Sequence, residues 1–140
     1  MSTPDENVAK LRHAYQQWHD TRGGSVQTWL DLMADDVRMR SGPEGKAGMD
    51  FTRPGAGKAA AQAYFAGLAA DWEMLHFNAD EFIAQGDRVV VLSLVAFRFK
   101  ATGKVAESAK VDVFRFRDGK VAEFFEFFDT AAALAATRPD

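Results

Sequence analysis

From Trp72 to Asp129 the chain is cut at nearly even intervals by glycine turns: Gln85-Gly86-Asp87, Thr102-Gly103-Lys104 and Asp118-Gly119. Asp-Gly is a strong two-residue hairpin signal, because such a turn asks for positive φ at both central positions. The segments between the turns, Arg88 to Lys100, Val105 to Arg117 and Lys120 to Asp129, are rich in Val and Phe and contain no proline. They read as long antiparallel strands in a meander, and Glu81 to Ala84 leads into the first turn as a further strand. Strands of this length with glycine turns curl, and the concave side needs an apolar filling.

The first half of the chain supplies it. Thr3 caps a helix that opens on Pro4, Asp5 and Glu6. Val8, Leu11, Tyr15 and Trp18 recur at spacings of three and four, which is one amphipathic helix face. Arg22, Gly23 and Gly24 end it. Ser25 opens a second helix from Val26 to about Ala34, with Trp29, Leu30 and Met33 apolar, and Val37 to Arg40 can form a short strand. A third helix is expected from Ala59 to Ala70, with Tyr64, Phe65 and Leu68 on one side, and a short one from Ala131 to Ala136. Between them, Ser41 to Lys58 holds five glycines and two prolines and is the long loop of the chain. Helices segregated from an antiparallel sheet make an α+β fold, here one domain over residues 1–140.

Composition narrows the function classes. With 20 acidic and 17 basic residues and a net charge of -3, the clustered basic excess of a nucleic-acid surface is not expected. The absence of cysteine removes disulfides, thiolate metal sites and a thiol nucleophile. His13, His19 and His76 show no metal-site spacing, with His13 and His19 read as helix-surface residues, so no metal and no cofactor are expected. No apolar run approaches a membrane span, and the polar start, Met1 to Asn7, is unlike a signal peptide; the expected location is the cytoplasm. Arg38, Arg40, Arg53 and Lys58 flank the long loop and read as a solvated rim or as a greeting for an anionic ligand.

The residue that stands out is Asp112. Period-two alternation puts Lys110, Asp112, Phe114 and Phe116 on one strand face, and the two Phe mark it as the inner face. A carboxyl held in an apolar pocket has its pKa raised and can stay protonated. The alternatives are an ion pair with Lys110 or a solvated edge. Glu126 depends on register. A two-residue turn at Asp118-Gly119 sets Asp112 opposite Phe125 and points Glu126 outward. A three-residue turn that includes Lys120 sets Asp112 against Glu126 and places Phe124 and Phe128 inside; this register is preferred. Tyr15 either completes an oxyanion hole with Asp112 or is simply core. Candidate ligand contacts are Trp18, Trp29, Met33, Tyr64 and Phe65 from the helical half, and Lys110, Phe114, Phe124 and Phe128 from the strands.

Several segments together resemble a known family. They are Ala34-Asp35-Asp36-Val37, the glycine-rich loop before a helix with Tyr64-Phe65, Gly86-Asp87-Arg88-Val89-Val90-Val91, and Phe114 to Val121 followed by Phe127-Phe128-Asp129. In order and spacing they are similar to the SnoaL-like branch of the nuclear transport factor 2 superfamily, which includes ketosteroid isomerases, polyketide cyclases and limonene-epoxide hydrolases. The resemblance implies a cone-shaped curved antiparallel sheet with three N-terminal helices around one apolar pocket. It implies an acid on the strand of Asp112, an oxyanion-hole tyrosine near Tyr15, and a homodimer through the outer sheet face, where Val113, Arg115 and Arg117 would lie. The isomerases' proton-shuttling Asp falls where this chain reads Arg38-Met39-Arg40-Ser41, without a carboxylate, which argues against steroid isomerisation. Phe124 to Asp129 is similar to the last strand of the epoxide hydrolases, with Glu126 at a catalytic carboxylate, but the partner Arg and Asp are replaced by Ser93-Leu94-Val95. Three readings stand: a cofactor-free isomerase, cyclase or hydratase acting on an apolar or polyketide-like ligand; a non-catalytic binding domain with the same pocket; and a dimeric interaction domain.

Overall fold

The computed structural model describes residues 2–140. Helix α1, Pro4–Asp20, begins where Thr3 Oγ1 accepts the Glu6 N–H at 3.1 Å, and its buried face carries Leu11, Ala14, Tyr15 and Trp18. Helix α2 covers Val26–Leu32 and runs directly into strand β1, Met33–Ser41. The helix expected to reach Ala34 therefore ends earlier, and Asp35 and Asp36 lie within a strand. Their consecutive exposure marks an irregularity in β1 between Met33 and Arg38, beyond which Val37, Met39 and Ser41 face inward. A 3-10 turn at Asp50–Thr52 and the two-residue strand β2, Gly55–Ala56, break up the long loop.

Helix α3, Lys58–Asp71, leads into β3, Trp72–Gln85, followed by β4, Arg88–Phe99, β5, Val105–Arg117, and β6, Lys120–Phe128. Helix α4, Thr130–Thr137, is capped by the Asp129 carboxylate, which accepts the Ala132 N–H at 3.0 Å. The strand leading to Gly86 is thus far longer than the four residues legible in the sequence. Irregularities in β3 between Met74 and His76 and between Ala79 and Glu81 add local twist and bend the strand, as a curling sheet requires.

The six strands form one sheet in the order β2-β1-β6-β5-β4-β3. The meander β3 to β6 is antiparallel as expected. Strand β1 instead pairs with β6 in parallel, with Arg40 opposite Phe125 and Ser41 opposite Glu126, so the sheet is mixed. Helices α1 to α3 plug the concave side. There Leu11, Trp18, Trp29, Phe65, Phe77 and Phe114 form the main apolar cluster. A smaller cluster of Met49, Trp72, Ala106, Ala133 and Ala136 closes one end, under α4. Among the described residues no helix is long and apolar enough to cross a membrane.

Candidate functional site

The hairpin between β5 and β6 sets the site's register. Arg117 pairs with Lys120, so Asp118 and Gly119 are a two-residue turn with φ of 52° and 78°, the left-handed values that a type I′ turn demands. By itself this turn points Glu126 outward. A bulge intervenes: Arg115 opposes Glu123 while Phe116 opposes Val121, which leaves Ala122 as the extra residue on β6. Val121 and Ala122 are both buried as a result, and the slip brings Asp112 opposite Glu126. The expected facing pair is present, but a bulge after the turn produces it and not a three-residue turn.

Inside the cone, Lys110, Asp112 and Glu126 are all buried. The Lys110 ammonium bridges the two carboxylates. It donates to Asp112 Oδ1 and lies 3.0 Å from Glu126 Oε1. Tyr15 on α1 donates to Asp112 Oδ2, Tyr64 on α3 donates to Glu126 Oε1 at 2.7 Å, and Ser41 at the end of β1 donates to Glu126 Oε2. All four carboxylate oxygens therefore accept a hydrogen bond. Two alternatives left open for Asp112 hold together: it points inward, and its partner there is Lys110. Tyr15 is both core and polar, stacked on Phe77 at 5.4 Å and edge-on to Trp29 at 4.9 Å.

Burial and neighbouring charge set the protonation states. Burial raises the pKa of Asp112, the Lys110 ammonium opposes that rise, and the balance stays above the ordinary carboxylate range. For Lys110, burial would lower the pKa, but the two carboxylates outweigh it and hold the ammonium above its usual range. Burial, reinforced by the carboxylate each one faces, pushes both tyrosines well above the ordinary phenol range. Near neutral pH the tyrosines and the lysine are therefore donors.

A cavity of about 90 Å³ lies over this cluster. Every site residue picked from the sequence lines it: Tyr15, Trp18, Trp29, Met33, Tyr64, Phe65, Lys110, Asp112, Phe114, Phe124, Glu126 and Phe128. Sequence reasoning missed Met39, Met49, Phe51 and Phe77 on the wall, and Ser41 beneath it. Inward alternation through Val37 and Met39 was the signal for Ser41. Met49 and Phe51 come from the long loop, and Phe51 lies so close to α3 that a Cβ on Gly67 would stand 2.8 Å from the Phe51 Cβ. The histidines lie elsewhere. His19 is not a free surface side chain: its Nδ1 accepts the Phe77 N–H at 3.1 Å. Arg40, which flanks the long loop, points to the outer face of β1 and lies over the Phe125 ring, away from the cavity. Among the described residues no group of His, Asp and Glu is arranged to hold a metal ion.

A curved sheet closed by helices over a buried polar cluster is the nuclear transport factor 2-like architecture. Residues 11–124 match the SnoaL-like domain, and the chain belongs to that family. Among solved structures, a nuclear transport factor 2-like protein from Burkholderia pseudomallei K96243 is 28% identical, with a TM-score of 0.82, covering 97% of this chain and 98% of that one. A second, from Burkholderia xenovorans LB400, is 26% identical with a TM-score of 0.80 and the same coverage. TerC, co-crystallised with polyporic acid, is 25% identical with a TM-score of 0.77, covering 94% of this chain and 97% of TerC. No curated protein matches the chain by sequence.

Proposed function

We propose that this chain is a cofactor-free acid–base catalyst of the isomerase or cyclase kind, which moves a proton on a small carbonyl compound held in the apolar cavity. The observation that carries the reading is the pair of buried carboxylates, Asp112 and Glu126, facing each other across one ammonium. Such a pair can take a proton at one oxygen and release it at another with little movement. Glu126 then supplies the second carboxylate that β1 lacks. Tyr15 holds Asp112 in place by donating to it, a different role from an oxyanion donor aimed at the ligand.

Ligand size follows from the cavity. A cavity of about 150 Å³ takes one benzene, so at 90 Å³ the site suits a ligand of at most one ring, admitted as wall side chains such as Met49 and Phe51 shift to make room. The co-crystal of TerC with polyporic acid supports a ligand of the carbonyl-bearing aromatic class. On the outer sheet face, Leu94 and Phe127 are 54% and 44% exposed, with Ala109 and Val111 between them in register. This strip supports a homodimer through that face.

The test is hydrogen–deuterium exchange at the methyl group of acetophenone, followed by proton NMR in heavy water. The protein should accelerate exchange over buffer. Asp112→Asn should remove about 10²- to 10⁴-fold of that acceleration, the usual share of a positioned acid or base. Binding of acetophenone without any acceleration would instead favour a non-catalytic binding domain, a reading supported by the fully occupied carboxylate oxygens.

A further inference from the structure

We propose that the group meeting the ligand's oxygen is the Lys110 ammonium, and that the site selects neutral carbonyl compounds over carboxylate anions. The inference rests on the acid–base reading in one respect: the two carboxylates it assigns to proton transfer are also what tune Lys110. Of the three charged side chains, Lys110 is the most open, 9% exposed against 2% for Asp112 and 1% for Glu126. The carboxylates also line the cavity but are less exposed, and they accept hydrogen bonds from Tyr15, Tyr64 and Ser41.

A lysine ammonium has three N–H donors. One goes to Asp112 and one to Glu126, which leaves one for whatever occupies the cavity. The Phe77 and Phe124 rings flank the nitrogen, with centroids at 5.3 and 5.6 Å, and narrow the approach. The tyrosine and serine hydroxyl protons are committed to the carboxylates, so among the cluster's donors Lys110 keeps the free one.

Charge then sets the ligand class. A ligand oxygen hydrogen-bonded to Lys110 from the cavity side sits roughly twice as far from each carboxylate as from the ammonium. Coulomb energy falls as the inverse of distance. Two negative charges at twice the distance therefore cancel one positive charge, and a full anion gains almost nothing while losing its hydration. A neutral carbonyl gains the hydrogen bond at a far smaller desolvation cost.

The experiment uses the same probe with a different readout. The carbonyl stretch of ¹³C-labelled acetophenone bound to the protein is measured by infrared difference spectroscopy. It should fall below its position in an apolar solvent, and Lys110→Met should abolish the fall. A fall of equal size in Lys110→Met assigns the oxygen contact to another donor, and no fall in the native protein removes the contact; either overturns the inference. If Lys110→Met does not fold, the ¹⁵Nζ ammonium resonance of Lys110 in the native protein decides. A resonance that moves on adding acetophenone supports the inference, and one that stays put under saturating acetophenone overturns it. Benzoate should bind at least tenfold more weakly than acetophenone, and equal or tighter binding overturns the selectivity. The methyl-exchange assay reads Asp112 separately, so a carbonyl shift without proton exchange sinks the catalytic reading and leaves the Lys110 contact standing.

Discussion

Lys110→Met isolates the energetic role of the cluster's one ammonium. Methionine keeps an unbranched chain of similar length, so the wall around Phe77 and Phe124 stays filled while the charge disappears. Two buried carboxylates are then left facing each other. Removing one member of a buried ion pair costs about 3–5 kcal/mol, because the remaining charge has neither water nor partner. Unfolding entropy of about 2.1 cal/mol/K per residue over 140 residues gives roughly 0.3 kcal/mol/K. A loss of about 3 kcal/mol therefore lowers Tm by roughly 10 °C. The pH dependence identifies the cause. Lys110 opposes the rise in the Asp112 pKa, so without it the folded-state pKa climbs further above the unfolded value. A carboxyl with a raised folded pKa contributes its stability below the unfolded pKa and loses it as pH rises through the folded pKa. The deficit of the variant should therefore be small near pH 4 and grow toward about pH 7.5. Thermal unfolding by circular dichroism at the two pH values is the assay. An equal deficit at both would mean that the lysine acts through hydrocarbon packing, and the charge argument would fail.

Tyr15→Phe should cost about 1–3 kcal/mol by urea unfolding, since Asp112 Oδ2 loses its donor while still buried, and should raise the Asp112 titration midpoint in carboxyl NMR, because that hydrogen bond favours the ionised form. Deleting Ala122 should remove the bulge and turn Glu126 to the outer face; NMR contacts between the Tyr64 ring and the Glu126 side chain should then vanish, and contacts that persist would contradict the register argument. If the proposed homodimer forms through the outer sheet face, Phe127→Glu combined with Leu94→Glu should yield a monomer in sedimentation without loss of helical signal, whereas native protein that sediments as a monomer would refute the proposed dimer.

The legible parts of this chain were those with a local signal. Two-residue alternation fixed the inner face of β5, and with it Lys110 and Asp112, because the two Phe that follow are too large to leave in water. Helical spacing of Leu11, Tyr15 and Trp18 did the same for α1. Glu126 was harder, since its face depends on a bulge at Val121-Ala122, two small apolar residues that look like any other strand. The parallel pairing of β1 with β6 left no local mark, because the partners are 85 residues apart at Ser41 and Glu126. Met49 and Phe51 hid in a glycine-rich stretch that reads as solvated loop, although two large apolar side chains in such a stretch are themselves a sign of burial.

The parallel β1–β6 pairing also bears on how the protein is made. Tyr15, Ser41 and Tyr64 are all made well before Glu126. The strands β3 to β6 can pair with sequence neighbours as they appear, whereas β1 must wait for β6 and then close a loop of some eighty residues. No nascent chain shorter than Glu126 can assemble the bridged carboxylates. The site therefore becomes complete only as β1 joins β6, so any chemistry it performs waits until β6 has been made.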